Sequence, residues 1–233
     1  MKSLSRRRVS PRSMILAVFS GMMILSLTCS MTIRAGHADR PIAAAAEEIE
    51  PLVAGDVAPR FMVRSVDGAN VHFDPASLAR PVILITFRGG WCPYCNMHLS
   101  DLRNVMAELT ELDLDVMFLS GDRPALLYAS LSGETQADID GLGYEIYSDA
   151  DADAAIALGI AFRVTDSYIS RHQEKGRDIA ESSMTQHGVL PVPAVYAIDK
   201  DGTISYSFVE PDYQVWLDSA ELLEVAKALA STE

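Results

Sequence analysis

Residues 81–120 leave this chain few ways to fold. "PVILITF", Pro81 to Phe87, is a continuous apolar run rich in β-branched residues, as expected of a strand buried on both faces of a sheet. After Gly89-Gly90 the period changes. Leu99, Leu102, Val105, Met106 and Leu109 recur every three or four residues, which makes one apolar face of a helix from about Pro93 to Leu112. "LDVMFLS" then reads as a second buried strand. Strand, helix and strand in that order form a crossover unit, so the core is predicted to be a sheet covered by helices.

The same alternation continues in both directions. "RFMVRSVDGANVHFD" holds two short strand-like runs around Asp67-Gly68, a hairpin turn signal. Beyond the crossover the pattern predicts a helix from about Pro124 to Gln136, a short strand near "YEIYS" and a helix over "ADAAIALG". In residues 165–190, "TDSYISRHQEKGRDIAES" is helix-like and "SMTQHG" loop-like. "PAVYAIDKDGTISYSFVEPDY" reads as two strands joined at Asp201-Gly202, and an amphipathic helix from about Asp218 to Ala230 closes the chain.

The first 38 residues stand apart. Five basic residues (Lys2, Arg6, Arg7, Arg8, Arg12) precede an apolar run over 14–33, the layout of an export signal, and Ala38 or Ala44 to Ala46 would suit a signal peptidase. An uncleaved run of about 20 residues would instead serve as a membrane anchor with its positive end inside. Both outcomes place the rest outside the cytoplasm, in the periplasm or on a membrane facing away from it. "SLTC" makes a poor lipidation box for Cys29, and "SRRRV" is a weak twin-arginine signal. Residues 39–56, alanine-rich and charged without a sustained period, read as a flexible tether, and 57–233 as one domain.

All 32 acidic residues lie from Asp39 onward, whereas only 13 of the 19 basic ones do, so the chain without its leader carries a net charge of −19. Such a surface repels phosphate backbones, which argues against nucleic acid as a partner.

Of the 3 cysteines only Cys92 and Cys95 lie beyond the leader. A closed zinc site needs four ligands; no second C-x-x-C exists, and His72, His98, His172 and His187 show no paired spacing. A bridge across so short a loop restricts the unfolded chain little. Redox chemistry remains. A cysteine at a helix start meets free backbone N–H groups and the positive end of the helix dipole, which lower a thiol pKa from about 8.5 towards 3.5–7.5. Gly89-Gly90 permits a sharp turn after the strand, Trp91 can shield the approach, and Pro93 suits the first helical position. Cys92 is therefore expected at or near the N-cap, exposed and activated, with Cys95 close enough to close a disulfide.

A buried strand followed by "WCPYC" opening a long helix resembles the thioredoxin superfamily. "FRGGWCPYCNMHLSDL" in particular resembles the peroxiredoxin-like branch of the alkyl hydroperoxide reductase and thiol-specific antioxidant group, over roughly Val57 to Leu229. "LPVPAVYAIDKDG" is similar to the thioredoxin segment in which a cis-proline, here Pro193, packs beside the active-site pair. The resemblance implies a thioredoxin-like three-layer α/β sandwich: a central mixed sheet, helices on both faces, an N-terminal β-hairpin and an extra helical segment between the halves.

It also implies a thiol-dependent peroxidase that reduces hydroperoxides and is recycled by thioredoxin or another dithiol, with no metal, flavin or nucleotide. The alternative is an envelope thiol-disulfide oxidoreductase acting on protein disulfides. Against the peroxiredoxin pattern P-x-x-x-T-x-x-C, Cys92 stands at the threonine and Arg88 at the proline, and the later arginine appears as Pro193. Two assignments of roles are therefore open. Thioredoxin logic makes Cys92 the nucleophile, whereas the peroxiredoxin alignment makes it Cys95. Arg88 is read either as a cation near the thiolate or as a surface residue, and His98, three residues after Cys95, either as tuning the thiol or as a helix-surface residue. Met97, Met106 and Met117 read as packing residues.

Overall fold

The computed structural model describes residues 40–231. The expected export leader, including the apolar run over 14–33, lies outside them. Among the described residues no helix is long and apolar enough to cross a membrane.

The chain runs through β1 (Phe61–Arg64), β2 (Asn70–Phe73), β3 (Val82–Phe87), α1 (Pro93–Glu111), β4 (Asp115–Ser120), α2 (Gly133–Ile139), β5 (Glu145–Ser148) and α3 (Asp153–Ala157). It continues through β6 (Ala161–Arg163), α4 (Asp166–Glu174), α5 (Ser183–His187), β7 (Val189–Pro191), β8 (Ala194–Ile198), β9 (Ile204–Val209) and α6 (Ser219–Ala230). Seven strands form one mixed sheet in the order β2-β1-β5-β4-β3-β8-β9, and β6 pairs with β7 separately. β3, β4 and β5 are mutually parallel, while β1–β2, β3–β8 and β8–β9 are antiparallel.

β3 lies inside the sheet and all six of its residues are buried. Because side chains alternate along a strand, Ile83, Ile85 and Phe87 pack with Leu99, Leu102 and Met106 of α1 and Leu222 of α6. Val82 and Leu84 pack on the opposite face with Ala154, Ala155 and Ala157 of α3. These two cores make the three layers. The hairpin is also formed, with Phe61 opposite Phe73 at 4.5 Å between stacked rings and Gly68 turning at φ 82.

Three expectations need correction. Residues 40–56 are not a free tether here: Ala43 bonds to both ends of β6, Leu52 donates to the Leu158 carbonyl, and Ile42, Ile49 and Leu52 cover the second core. Their apolar residues are too sparse to show a period, yet each meets an apolar surface supplied by distant parts of the chain. The single helix expected over 124–136 is a 3-10 turn at Pro124–Leu126 followed by α2, because Ser132 caps α2 through the Thr135 N–H. Residues 165–190 hold α4, capped by Thr165, and α5, opened by a Ser182/Thr185 capping box and stopped by Gly188 at φ 63.

Candidate active site

β3 and β4 are parallel neighbours, so their carboxyl ends open on the same edge of the sheet, the place where α/β folds build sites. Arg88 to Cys92 leave β3 there. Gly121 and Asp122 leave β4 beside them.

The double glycine is required for two different reasons. Gly89 has φ 151, and a Cβ on it would lie 2.3 Å from Trp91 Nε1 and 2.8 Å from Asp122 Oδ1. A Cβ on Gly90 would lie 2.1 Å from Ser130 Oγ and 2.8 Å from the Leu131 nitrogen. The turn closes through a Cys92 N–H to Gly89 carbonyl bond of 3.1 Å. Cys92 is the N-cap of α1, with extended backbone (φ −88, ψ 117), and Pro93 takes the first helical position.

Both cysteines are free thiols and both are buried. Cys92 is only 2% exposed, which corrects the expectation of an open nucleophile. Its pKa is nevertheless lowered from 9.0 to about 6. The largest cause is the hydrogen bond from the Cys95 thiol. Burial opposes it, and the Cys95 backbone N–H, the Arg88 charge and the Tyr94 backbone N–H assist. Cys95, fully enclosed, is pushed well above 9.0 by desolvation and by serving as the donor to Cys92. The two sulfurs are thus made unequal by their surroundings: one thiolate, one thiol.

Arg88 is buried at 5% exposure, not on the surface. Its guanidinium carbon lies 4.3 Å from the Tyr213 ring centre, 5.4 Å from that of Trp91 and 5.7 Å from that of Tyr168, and Nη2 donates to the Tyr168 hydroxyl. Three aromatic faces thus replace water around the cation. His172 on α4 packs edge-on against Trp91 at 4.6 Å and accepts from Arg177 at Nδ1, 2.6 Å. Desolvation and the neighbouring cations hold His172 at a pKa of about 4, so it is neutral at pH 7.

A cleft of about 710 Å³ opens against this shell, walled by Arg88, Phe162, Tyr168, Pro191, Pro193 and Tyr213. Pro193 thus shares the cleft wall with Arg88, and its carbonyl accepts from the Glu210 N–H at 3.3 Å. His98 is not a surface residue. Its ring stacks on Trp216 at 4.2 Å and burial lowers its pKa to about 4, because the segment before α6 covers that side of α1. Among the described residues, no three His, Cys, Asp or Glu side chains converge as metal ligands.

The sequence reading missed Tyr168, His172, Tyr213, Asn96 and Asp122. Asp122 had a usable signal, since it lies two residues past the buried carboxyl end of a parallel strand. The aromatic residues had none, because α4 and the 210–217 segment reach the site only through the tertiary fold.

A thiolate at a helix start, beside a protonated partner thiol and a caged cation, defines a thiol oxidoreductase built on a thioredoxin-like fold. The AhpC/TSA family model matches residues 54–207, and the chain belongs to that family. Peroxiredoxin Bcp of Escherichia coli is 29% identical over 112 residues, covering 48% of this chain and 67% of the relative. Peroxidoxin BcpB of Mycobacterium tuberculosis superposes with a TM-score of 0.54 at 14% identity, over 78% of this chain and 99% of that one. Reduced Prx3 of Vibrio vulnificus, solved in complex with hydrogen peroxide, gives a TM-score of 0.54 at 18% identity, over 75% and 99%. At these identities the structures speak for the fold alone.

The protonation asymmetry predicts a pH profile. In the reduced protein, site-resolved alkylation of Cys92 by iodoacetamide is expected to rise with a midpoint near pH 6, with Cys95 remaining unlabelled through pH 9. A Cys92 midpoint near 9, or earlier labelling of Cys95, would contradict the assignment.

Proposed function

We propose that this protein is a peroxiredoxin-like peroxidase working through a Cys92–Cys95 dithiol/disulfide cycle. The observation that carries the reading is Cys92 at the N-cap of α1, three residues before the free Cys95, with its pKa lowered to about 6 chiefly through a hydrogen bond from the Cys95 thiol. In the first step the Cys92 thiolate attacks the terminal oxygen of a hydroperoxide. The O–O bond breaks, the alcohol or water leaves after taking up a proton, and Cys92 becomes a sulfenic acid. Cys95, losing its proton, then displaces that hydroxyl as water and closes the disulfide. An external dithiol such as thioredoxin restores both thiols by exchange.

Arg88 stabilises the attacking thiolate and the charge that develops on the leaving oxygen. Trp91 and Pro93 hold the turn and the helix start, and Pro193 walls the cleft. The family match and the curated relative favour peroxide over a protein disulfide as the oxidant. The basic and apolar leader supports the further reading that the enzyme works outside the cytoplasm.

The test mixes pre-reduced protein with hydrogen peroxide under single-turnover conditions, and separately with a scrambled protein disulfide. Stoichiometric loss of two thiols on the peroxide arm, with the Cys92–Cys95 bridge identified by mass spectrometry, is the expected result. Faster thiol loss on the protein-disulfide arm would replace this reading with that of a disulfide oxidoreductase.

A further inference from the structure

Gly90, in the turn ahead of the thiol pair, has both backbone groups held by side chains that the cycle above does not use. Asp122 Oδ2 accepts from its N–H at 2.8 Å, and Asn96 Nδ2 donates to its carbonyl at 2.6 Å. The same Asn96 nitrogen donates to the Cys92 carbonyl at 2.9 Å. Both side chains then reach one segment ahead of α2: Ser130 Oγ donates to Asp122 Oδ2 at 2.9 Å, and the Ser132 N–H donates to Asn96 Oδ1 at 2.7 Å. Asp122 is 0% and Asn96 8% exposed, so water does not compete for these bonds. The other carboxylate oxygen of Asp122 and the Trp91 indole nitrogen, both flanking Gly89, are buried without a partner in the structure.

We propose that Asn96 and Asp122 are positioning residues for Cys92: together they clamp the Gly89–Cys92 turn to the Ser130–Ser132 segment, and so hold the Cys92 backbone at the N-cap of α1. The inference rests on Cys92 being the thiolate of the pair. Without the clamp, the N-cap geometry would have only the 3.1 Å turn bond and the first helical bond to hold it.

Charge and position can be separated here. The ionisable groups acting on Cys92 are Cys95 on α1, Arg88 after β3 and Tyr168 on α4, while Asp122 itself faces Arg123. Asn96 carries no charge. A shift in the Cys92 titration on Asn96→Ala therefore reports lost positioning and nothing else.

The experiment follows the ultraviolet thiolate absorbance of the reduced full chain against pH, in wild type, Asn96→Ala, Asp122→Ala and Asp122→Asn. Folding is monitored by circular dichroism. The two alanine variants are expected to move the Cys92 midpoint up by about two pH units, an approximately tenfold loss of thiolate at pH 7. Asp122→Asn keeps an acceptor for Gly90 and is expected to recover most of that loss. Should the alanine variants fail to fold, Ser130→Ala, which removes only the 2.9 Å bond, is expected to shift the midpoint in the same direction by a smaller amount. Folded variants that all titrate like wild type would overturn the proposal. Because thiolate absorbance needs no peroxide, the clamp can fail while the peroxidase reading stands, or stand while that reading fails.

Discussion

Cys92→Ser is expected to abolish peroxide reduction, a loss of at least about 10³-fold, since a serine hydroxyl cannot ionise where the thiol does. Cys95→Ser is expected to behave differently. The first oxidation should survive within about tenfold of wild type, because the new hydroxyl can still donate to the Cys92 sulfur in place of the thiol. Turnover with a dithiol reductant should stop, with Cys92 left as a sulfenic acid that a dimedone-type reagent traps. The physical basis is the inequality of the pair: the Cys92 pKa is about 6, whereas Cys95, enclosed and donating, stays protonated. Mass spectrometry that found the trapped acid on Cys95 in Cys92→Ser would reverse the roles in favour of the plain peroxiredoxin alignment.

How far the sequence revealed this site depended on whether the relevant contacts are local. β3 and α1 were legible almost to the residue, because each buries a periodic apolar face and the turn between them is marked by glycines and proline. The Cys92 N-cap followed from the same local signals. Its burial did not, since Cys92 belongs to a core cluster against which Tyr168 of α4 and Trp216 pack, more than 70 residues away along the chain. Arg88 shows the same limit. Nothing within "FRGG" distinguishes a surface arginine from one boxed in by Trp91, Tyr168 and Tyr213. The tether failed as a reading for the converse reason: Ile42, Ile49 and Leu52 have no partner near them in sequence and find α3 and β6 only in the fold.

Arg88→Met is the sharpest test of the electrostatic account, because activity and stability should part company. Arg88 is one of the causes holding the Cys92 pKa down, and among them it supplies the full positive charge. Losing it is expected to raise the Cys92 midpoint and to lower the second-order rate with hydrogen peroxide at pH 7 about 10²-fold, or roughly 2.7 kcal/mol of transition-state stabilisation. Arg88→Lys keeps the charge but cannot lie flat between three rings, and about a tenfold loss is expected. Stability should not follow the rate. A buried guanidinium whose Nε has no partner contributes little to folding, and methionine fills similar space among aromatic rings without a charge to desolvate. The melting temperature of Arg88→Met is therefore expected to equal or exceed that of wild type. A variant that lost activity only in proportion to lost folding would mean that Arg88 is a packing residue, and the thiolate would owe its low pKa to the helix start and the Cys95 thiol alone.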